Sequence, residues 1–428
     1  MGEEAHRSVA SSGPGGAFGG TGKGAGRMAE VSAGAGPTAL RERAPAPDLA
    51  RDFMLLFIAL VNAAFFLTGP DIVATAADRA VVLVRSVLVD ARSIPLFSLL
   101  FGYGTVQLLR RAGGEERTDG PARAGGPGWP AARRLLRRRG VWMLLIGLVH
   151  AVLLLPVDII GAYGLALVAL AGLLRLRDRA LAYAAGGLAA ASVALNTALS
   201  RALPPETGGS VEAGSIVLPD FASAASERLA EWTVYTPVTL LTVVLPPMLV
   251  GVWAARRRIL EEPGRHRRML AATAWWGLGI AVAGGLPDAL VQIGAWTGLP
   301  GRTEGDLAIL HDAVGWAGGL GWAALIALVS LRLGERRGAA ARAVEAVGQR
   351  SMTCYLLQSA VFSAVFAPYA LGMGAELGAA SAAAVAVATW AATLYCAALM
   401  HTRGHRGPAE TLLRRLTYGR PAPVRPPG

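Results

Sequence analysis

The segment RRRGVWMLLIGLVHAVLLLPVDIIGAYGLALVAL, residues 137–170, holds the side chains best suited to chemistry. Imidazole gains and loses a proton near neutral pH. His150 lies 11 residues past Arg139, about 16 Å along a helix, inside an otherwise apolar run. Asp158 follows eight residues later, where Pro156 ends the helix, and is expected at the outer surface. In PDLARDFMLLFIALVNAAFF, Arg51 and Asn62 are also 11 residues apart. That is about three turns, so they share one helix face, with Asn62 at the depth of His150. If the two helices touch, Asn62 and His150 form one polar centre, with Arg51 below it. Acid–base work is the chemistry such a centre could do. The alternatives are a neutral packing histidine and an arginine that only anchors the helix at the interface.

These residues need elements that carry them through a membrane. Only 16% of residues are charged and 53% are hydrophobic, with a mean hydropathy of +0.45. A water-soluble domain would carry about a quarter charged. A membrane helix needs about 20 mainly apolar residues. Ten segments qualify, at 52–69, 93–110, 139–156, 158–175, 179–199, 233–255, 269–296, 310–332, 350–370 and 378–400. The stretch 71–91 is interrupted by Asp78, Arg79, Arg85 and Asp90 and reads as an amphipathic helix at the interface. The expected fold is therefore an all-α polytopic transmembrane bundle of about ten spans. Lysine and arginine concentrate on the cytoplasmic side of such bundles. With the N-terminus inside, 35 of the 41 basic residues fall in inside segments, which predicts both termini in the cytoplasm. The net charge of +12 is explained by topology and anionic headgroups. It does not point to nucleic acid.

Residues 1–47 are rich in Gly, Ala and Pro and almost lack large apolar side chains. Such a segment cannot offset its ordering entropy, so it is expected to be a disordered cytoplasmic tail, as is the Pro-rich 421–428. The transmembrane domain is expected over 48–420. Two cysteines, Cys354 and Cys396, lie in apolar stretches and read as small hydrophobes; no metal-ligand cluster is visible. In the later half, Pro287 suggests a kink and Asp288 either a cavity-facing or a solvated carboxylate. His311 and Asp312 read as solvated rim residues at the mouth of the eighth span. Gly315, Gly318, Gly319 and Gly321 suit close helix packing, and Gln358 suits either an interhelical hydrogen bond or a place in a cavity lining. The loop at 200–231 could cover an outer vestibule.

Five segments in order resemble the bacterial YeiB-like family (domain of unknown function 418): PDLARDFMLLFIALVN, IPLFSLLFGYGTVQLLRR, the 133–164 segment, VGQRSMTCYLLQS and GPAETLLRRLTYG. The resemblance covers about 48–420, although Asp52, Cys354, Thr411 and Leu413 depart from the family pattern. It implies a multi-pass protein of the bacterial cytoplasmic (plasma) membrane. More remotely, the family is similar to membrane acyltransferases that take acyl groups from cytosolic acyl-CoA. In that reading His150 is the base, Asn62 an oxyanion donor and Asp158 their partner at the outer mouth. Arg51, Arg137 and Arg138 hold the donor's phosphates. The implied partners are the bilayer, an acyl-CoA donor and an extracytoplasmic or lipid acceptor, with no permanently bound cofactor. A transporter or lipid-translocating protein stays open as the alternative, because charges within a membrane also line substrate paths.

Overall fold

The computed structural model describes residues 45–113, 115–116, 123–125, 128–202, 213–333 and 346–419. The tails expected at 1–47 and 421–428 lie outside these residues, apart from 45–47, which begin the first helix. Apart from a two-residue antiparallel ladder, Glu115–Glu116 with Arg123–Ala124, the architecture is helical. Each of the ten apolar segments falls on helix. In chain order these are α1 (Pro45–Phe65), α3 (Ser93–Arg111), α4 (Trp129–Leu153), α5 (Ile159–Ala169) and α6 (Asp178–Ala202). They continue with α7 (Phe221–Thr239), which runs through a π-turn at Leu240–Val244 into α8 (Leu245–Arg256). The rest are α9 (Arg267–Gln292), α10 (Gly301–Leu333), α11 (Ser351–Phe366) and α12 (Ala379–Thr402). Among the described residues, five stretches are long and apolar enough to cross a membrane: α6, the continuous α7–α8, α9, α10 and α12.

Two short helices are amphipathic and do not cross. In α2 (Ala76–Leu88) the buried residues Asp78, Val82 and Ser86 recur every four positions, one face of a helix. Asp78 accepts bonds from the Thr75 hydroxyl and backbone N–H in a capping box. Its other oxygen accepts the Ala380 N–H at 2.8 Å, so one carboxylate ties α2 to the start of α12. The Thr75 hydroxyl above all, with the backbone donors, holds this carboxyl below the ordinary range. The second short helix is α13 (Pro408–Tyr418), whose Glu410 reaches back 58 residues to accept the Met352 N–H at 2.8 Å and the Thr353 N–H at 3.1 Å. Those are first-turn donors of α11, which has no cap of its own.

Glycine decides how close the long helices come. An added Cβ at Gly102 would collide with the Met248 carbonyl, and one at Gly251 with the Leu99 carbonyl, so α3 and α8 cross with their backbones touching. Large apolar side chains such as Trp275, Trp276 and Tyr395 are exposed on the outer faces, where lipid would cover them.

Candidate functional site

At one end of the bundle a cavity of about 330 Å³ opens between α1, α3, α4, α5, α11 and α13. Its rim is strongly cationic, with Arg51, Arg111, Arg139, Arg350, Arg406 and Arg414. Its deeper wall is apolar and aromatic, including Phe97, Phe101, Tyr163 and Tyr355. Phe97 and Phe101 both stack on the Tyr163 ring, at 4.9 and 4.4 Å between centroids, and the Tyr163 hydroxyl meets the Ser98 hydroxyl at 3.1 Å. Such a site suits a ligand with an anionic head and an apolar tail.

Arg51 takes the place expected of it: it lines the cavity, and its guanidinium lies over Gly104. Arg137 and Arg138 do not. Both are exposed, and Arg138 donates to the Leu416 carbonyl at 2.9 Å, closing the end of α13. Arg139 is the member of that run that faces the cavity, because each residue turns a helix by about 100°.

Behind the aromatic wall lies His150. It is buried, and its Nδ1 is 3.0 Å from Asp158 Oδ1. The separation is that of an ion pair, but the ring N–H does not point along it, and neither ring nitrogen has a directed hydrogen-bond partner. Asp158 is buried rather than at an outer mouth as expected. The chain reverses after Leu153, and Asp158 starts α5 as its N-cap, accepting from the Ile160 N–H at 3.2 Å and the Gly161 N–H at 2.5 Å. Glycines make this reversal fit. A Cβ at Gly147 would collide with Asp158 Oδ2 and Gly161, and one at Gly164 with Leu144, so α5 lies directly on α4.

Tyr355 joins the two parts. It lines the cavity, and its ring centroid is 4.9 Å from that of His150. Asn62 is buried on α1, but the first and third spans are not the close neighbours that their matched depths implied. The principal neighbours of α1 are α12, α11, α10 and α3, whereas those of α4 are α5, α7 and α13.

A second buried polar cluster lies between α2, α9 and α10. Arg92 is fully buried. Its Nη1 donates to His311 Nε2 at 2.5 Å and to the Asp90 carbonyl at 2.5 Å, and its Nη2 to the Ala281 carbonyl at 2.7 Å. Arginine has no acceptor, so His311 Nε2 must carry a lone pair and Nδ1 the proton. That proton is donated to Asp288 Oδ2 at 2.8 Å, which also accepts from Gln292 at 2.6 Å. His311 is thus not a solvated rim residue; it is a buried neutral imidazole held between an arginine and a carboxylate. Gly318 and Gly285 leave the room that the Arg92 side chain fills. On α11, Gln358 donates to Thr393 at 3.3 Å, the expected interhelical bond to α12. No cluster of metal-ligating residues occurs among the described residues.

Sequence reasoning missed Tyr355, Arg92 and Arg228 as buried functional groups. A signal for the two arginines existed. Only six basic residues break the positive-inside pattern, and these two of the six are completely buried.

Among known proteins, the chain is 25% identical over 415 residues to the uncharacterized protein YxaH of Bacillus subtilis (strain 168), covering 89% of this chain and 96% of that one. No solved structure matches. The family model described as Protein of unknown function (DUF418) matches residues 254–420, which span α9 to α13 and the Arg350, Tyr355, Glu410 and Arg414 side of the cavity. Residues 254–420 of this membrane-helix protein therefore match the DUF418 family, the YeiB-like family whose motifs the sequence resembles.

Proposed function

We propose that the chain is a membrane acyltransferase with ten crossings and both termini in the cytoplasm. In this reading it passes an acyl group from a cytosolic acyl-CoA to an extracytoplasmic or lipid acceptor. One observation carries the reading: Tyr355 both lines an arginine-rimmed apolar cavity and packs against His150 of the buried His150–Asp158 pair. The arginines suit the phosphates of the donor and the aromatic wall suits its acyl chain. His150, whose Nδ1 lies 3.0 Å from Asp158 Oδ1, takes the proton of the acceptor's hydroxyl or amine as that oxygen or nitrogen attacks the thioester carbonyl. The carbon–sulfur bond breaks, and the departing thiolate takes up a proton.

The orientation is supported by the charge pattern, since the cavity's rim is built from the basic segments at 110–139, 332–350 and 401–428. Single cysteines at the exposed positions 131 and 217, and at 420, in a background lacking Cys354 and Cys396 test it with an impermeant thiol reagent. Position 217 is expected to label from outside, and 131 and 420 only after permeabilisation. Labelling at 131 in sealed cells would refute the orientation.

Donor binding tests the site. Purified protein in detergent is expected to bind a long-chain acyl-CoA saturably. Arg414→Gln should weaken binding about 10-fold or more, as loss of a charged hydrogen bond of 1.5–3 kcal/mol requires. Arg137→Gln should leave it unchanged. Equal binding by wild type and Arg414→Gln would remove the cavity as the donor site. A transport reading is favoured by one observation, the π-turn at Leu240–Val244 flanked by Pro237, Pro246 and Pro247, which breaks the longest span in its middle. Saturable acyl-CoA binding with no thioester cleavage would support that reading instead.

A further inference from the structure

The first two turns of α7 carry a buried cation with donors to spare. Arg228 is fully buried. Its Nη2 donates to the Tyr369 hydroxyl at 2.8 Å, and its guanidinium carbon lies 5.3 Å from the centroid of the same ring. Its Nε and Nη1 have no partner, and no described carboxylate pairs with it. Glu227, its neighbour along the helix, is exposed, and Glu231, three residues on, has its oxygens already occupied by the Ser215 N–H at 3.0 Å and the Ser215 hydroxyl at 2.5 Å. An isolated guanidinium out of water is costly unless an acceptor meets it.

One turn further along the same face stands Trp232, whose indole N–H is also buried without a partner. This indole rests on the first turn of α5. A Cβ at Gly161 would be 3.0 Å from Trp232 Cζ2 and 2.7 Å from Asp158 Oδ2. Unsatisfied donors therefore run along α7 from Arg228 to the neighbourhood of Asp158.

We propose that Arg228 and Trp232 form a binding site for an oxyanion, a phosphate or carboxylate group, carried by the molecule that reaches the His150–Asp158 pair from the α7 side. Calling that molecule the acyl acceptor rests on the proposed function; the anion site itself does not. A guanidinium with two free donors and an indole N–H one turn away offers only hydrogen-bond donors, which selects an acceptor-only group and disfavours a cation or a neutral amine. The same group could arrive on a soluble acid or on a lipid headgroup.

The test uses full-length protein in nanodiscs. Thermal unfolding is followed against inorganic phosphate in phosphatidylcholine discs, and separately against the fraction of phosphatidylglycerol in the disc. A saturable rise in midpoint with phosphate assigns a soluble source, and a rise only with phosphatidylglycerol assigns a headgroup. In either arm, Arg228→Gln is expected to weaken the response about 10-fold to 100-fold and Trp232→Phe, which keeps the ring but removes the donor, about fivefold. If wild type responds to neither anion, the two side chains hold only water and the proposal fails. If Trp232→Phe and Arg228→Gln respond like wild type, the anion binds elsewhere and the proposal also fails. Acyl-CoA binding is measured on the same wild-type preparation. Its absence alongside an anion response would remove the acyl-transfer reading and leave this site standing.

Discussion

Replacing His150 by alanine is expected to cut acyl-CoA-dependent thiol release by about 10²–10⁴-fold, the usual cost of losing a general base. Donor binding should remain, because His150 lies behind Tyr355 and outside the cavity wall. His150→Gln keeps hydrogen-bonding capacity and volume but cannot take a proton, so it should be as inactive as the alanine variant. A packing histidine predicts the reverse: glutamine would be tolerated and alanine would lower the unfolding temperature with little change in turnover per folded molecule. Full activity in His150→Gln, measured as free thiol after single-turnover mixing, would end the acid–base assignment. Asp158→Ala is a weaker probe, since Asp158 also caps α5, and its loss would cost about 1 kcal/mol of helix stability on that ground alone.

The second large effect concerns stability. Arg92→Met should lower the unfolding free energy by about 3–5 kcal/mol, the cost of removing one partner from a buried ionic network. The size follows from what remains. Asp288 would keep a buried charge with only the neutral donors of His311 and Gln292, and the carbonyls of Asp90 and Ala281 would lose their donor. Arg92→Met combined with Asp288→Leu should recover part of the loss, because the uncompensated charge goes with its partner. Equilibrium unfolding in mixed micelles checks both. A loss below about 1 kcal/mol for the single variant, within the range of an exposed pair, would mean that the cluster is hydrated.

Hydropathy was enough to find the helices, since all ten apolar segments fall on them, and the interruptions at Asp78, Arg79, Arg85 and Asp90 correctly set α2 apart as short and amphipathic. The His150–Asp158 partnership was visible only as two polar residues in one segment. Rise per residue measures depth along a straight helix and does not foresee the reversal after Leu153 that folds Asp158 back onto its neighbour. The same limit explains Asn62: equal depth on two helices does not make them adjacent. Arg139 in place of Arg137 and Arg138 is a matter of helix rotation, which a basic run does not specify. His311 looked like a rim residue because it is near a span end, and the sequence left Asp288 open between a cavity-facing and a solvated position. Their burial depends on Arg92, brought against them by the turn at 89–92 and admitted by the glycines of α9 and α10.

The clamp that Glu410 places on the start of α11 also bears on biogenesis. Tyr355 can be held against His150 only when α11 has its first turn fixed, and the donors of that turn are satisfied from α13. A ribosome adding about 5–20 residues per second needs roughly 3–12 s to cover the 58 residues between Met352 and Glu410. During that interval the helices already inserted enclose a cavity with a loose wall, and of the cationic rim the nascent protein has Arg51, Arg111, Arg139 and Arg350 but not yet Arg414. Closure of the site thus waits for α13, so ligand that enters before it meets an unfinished chamber in which the aromatic wall beside His150 is not yet set.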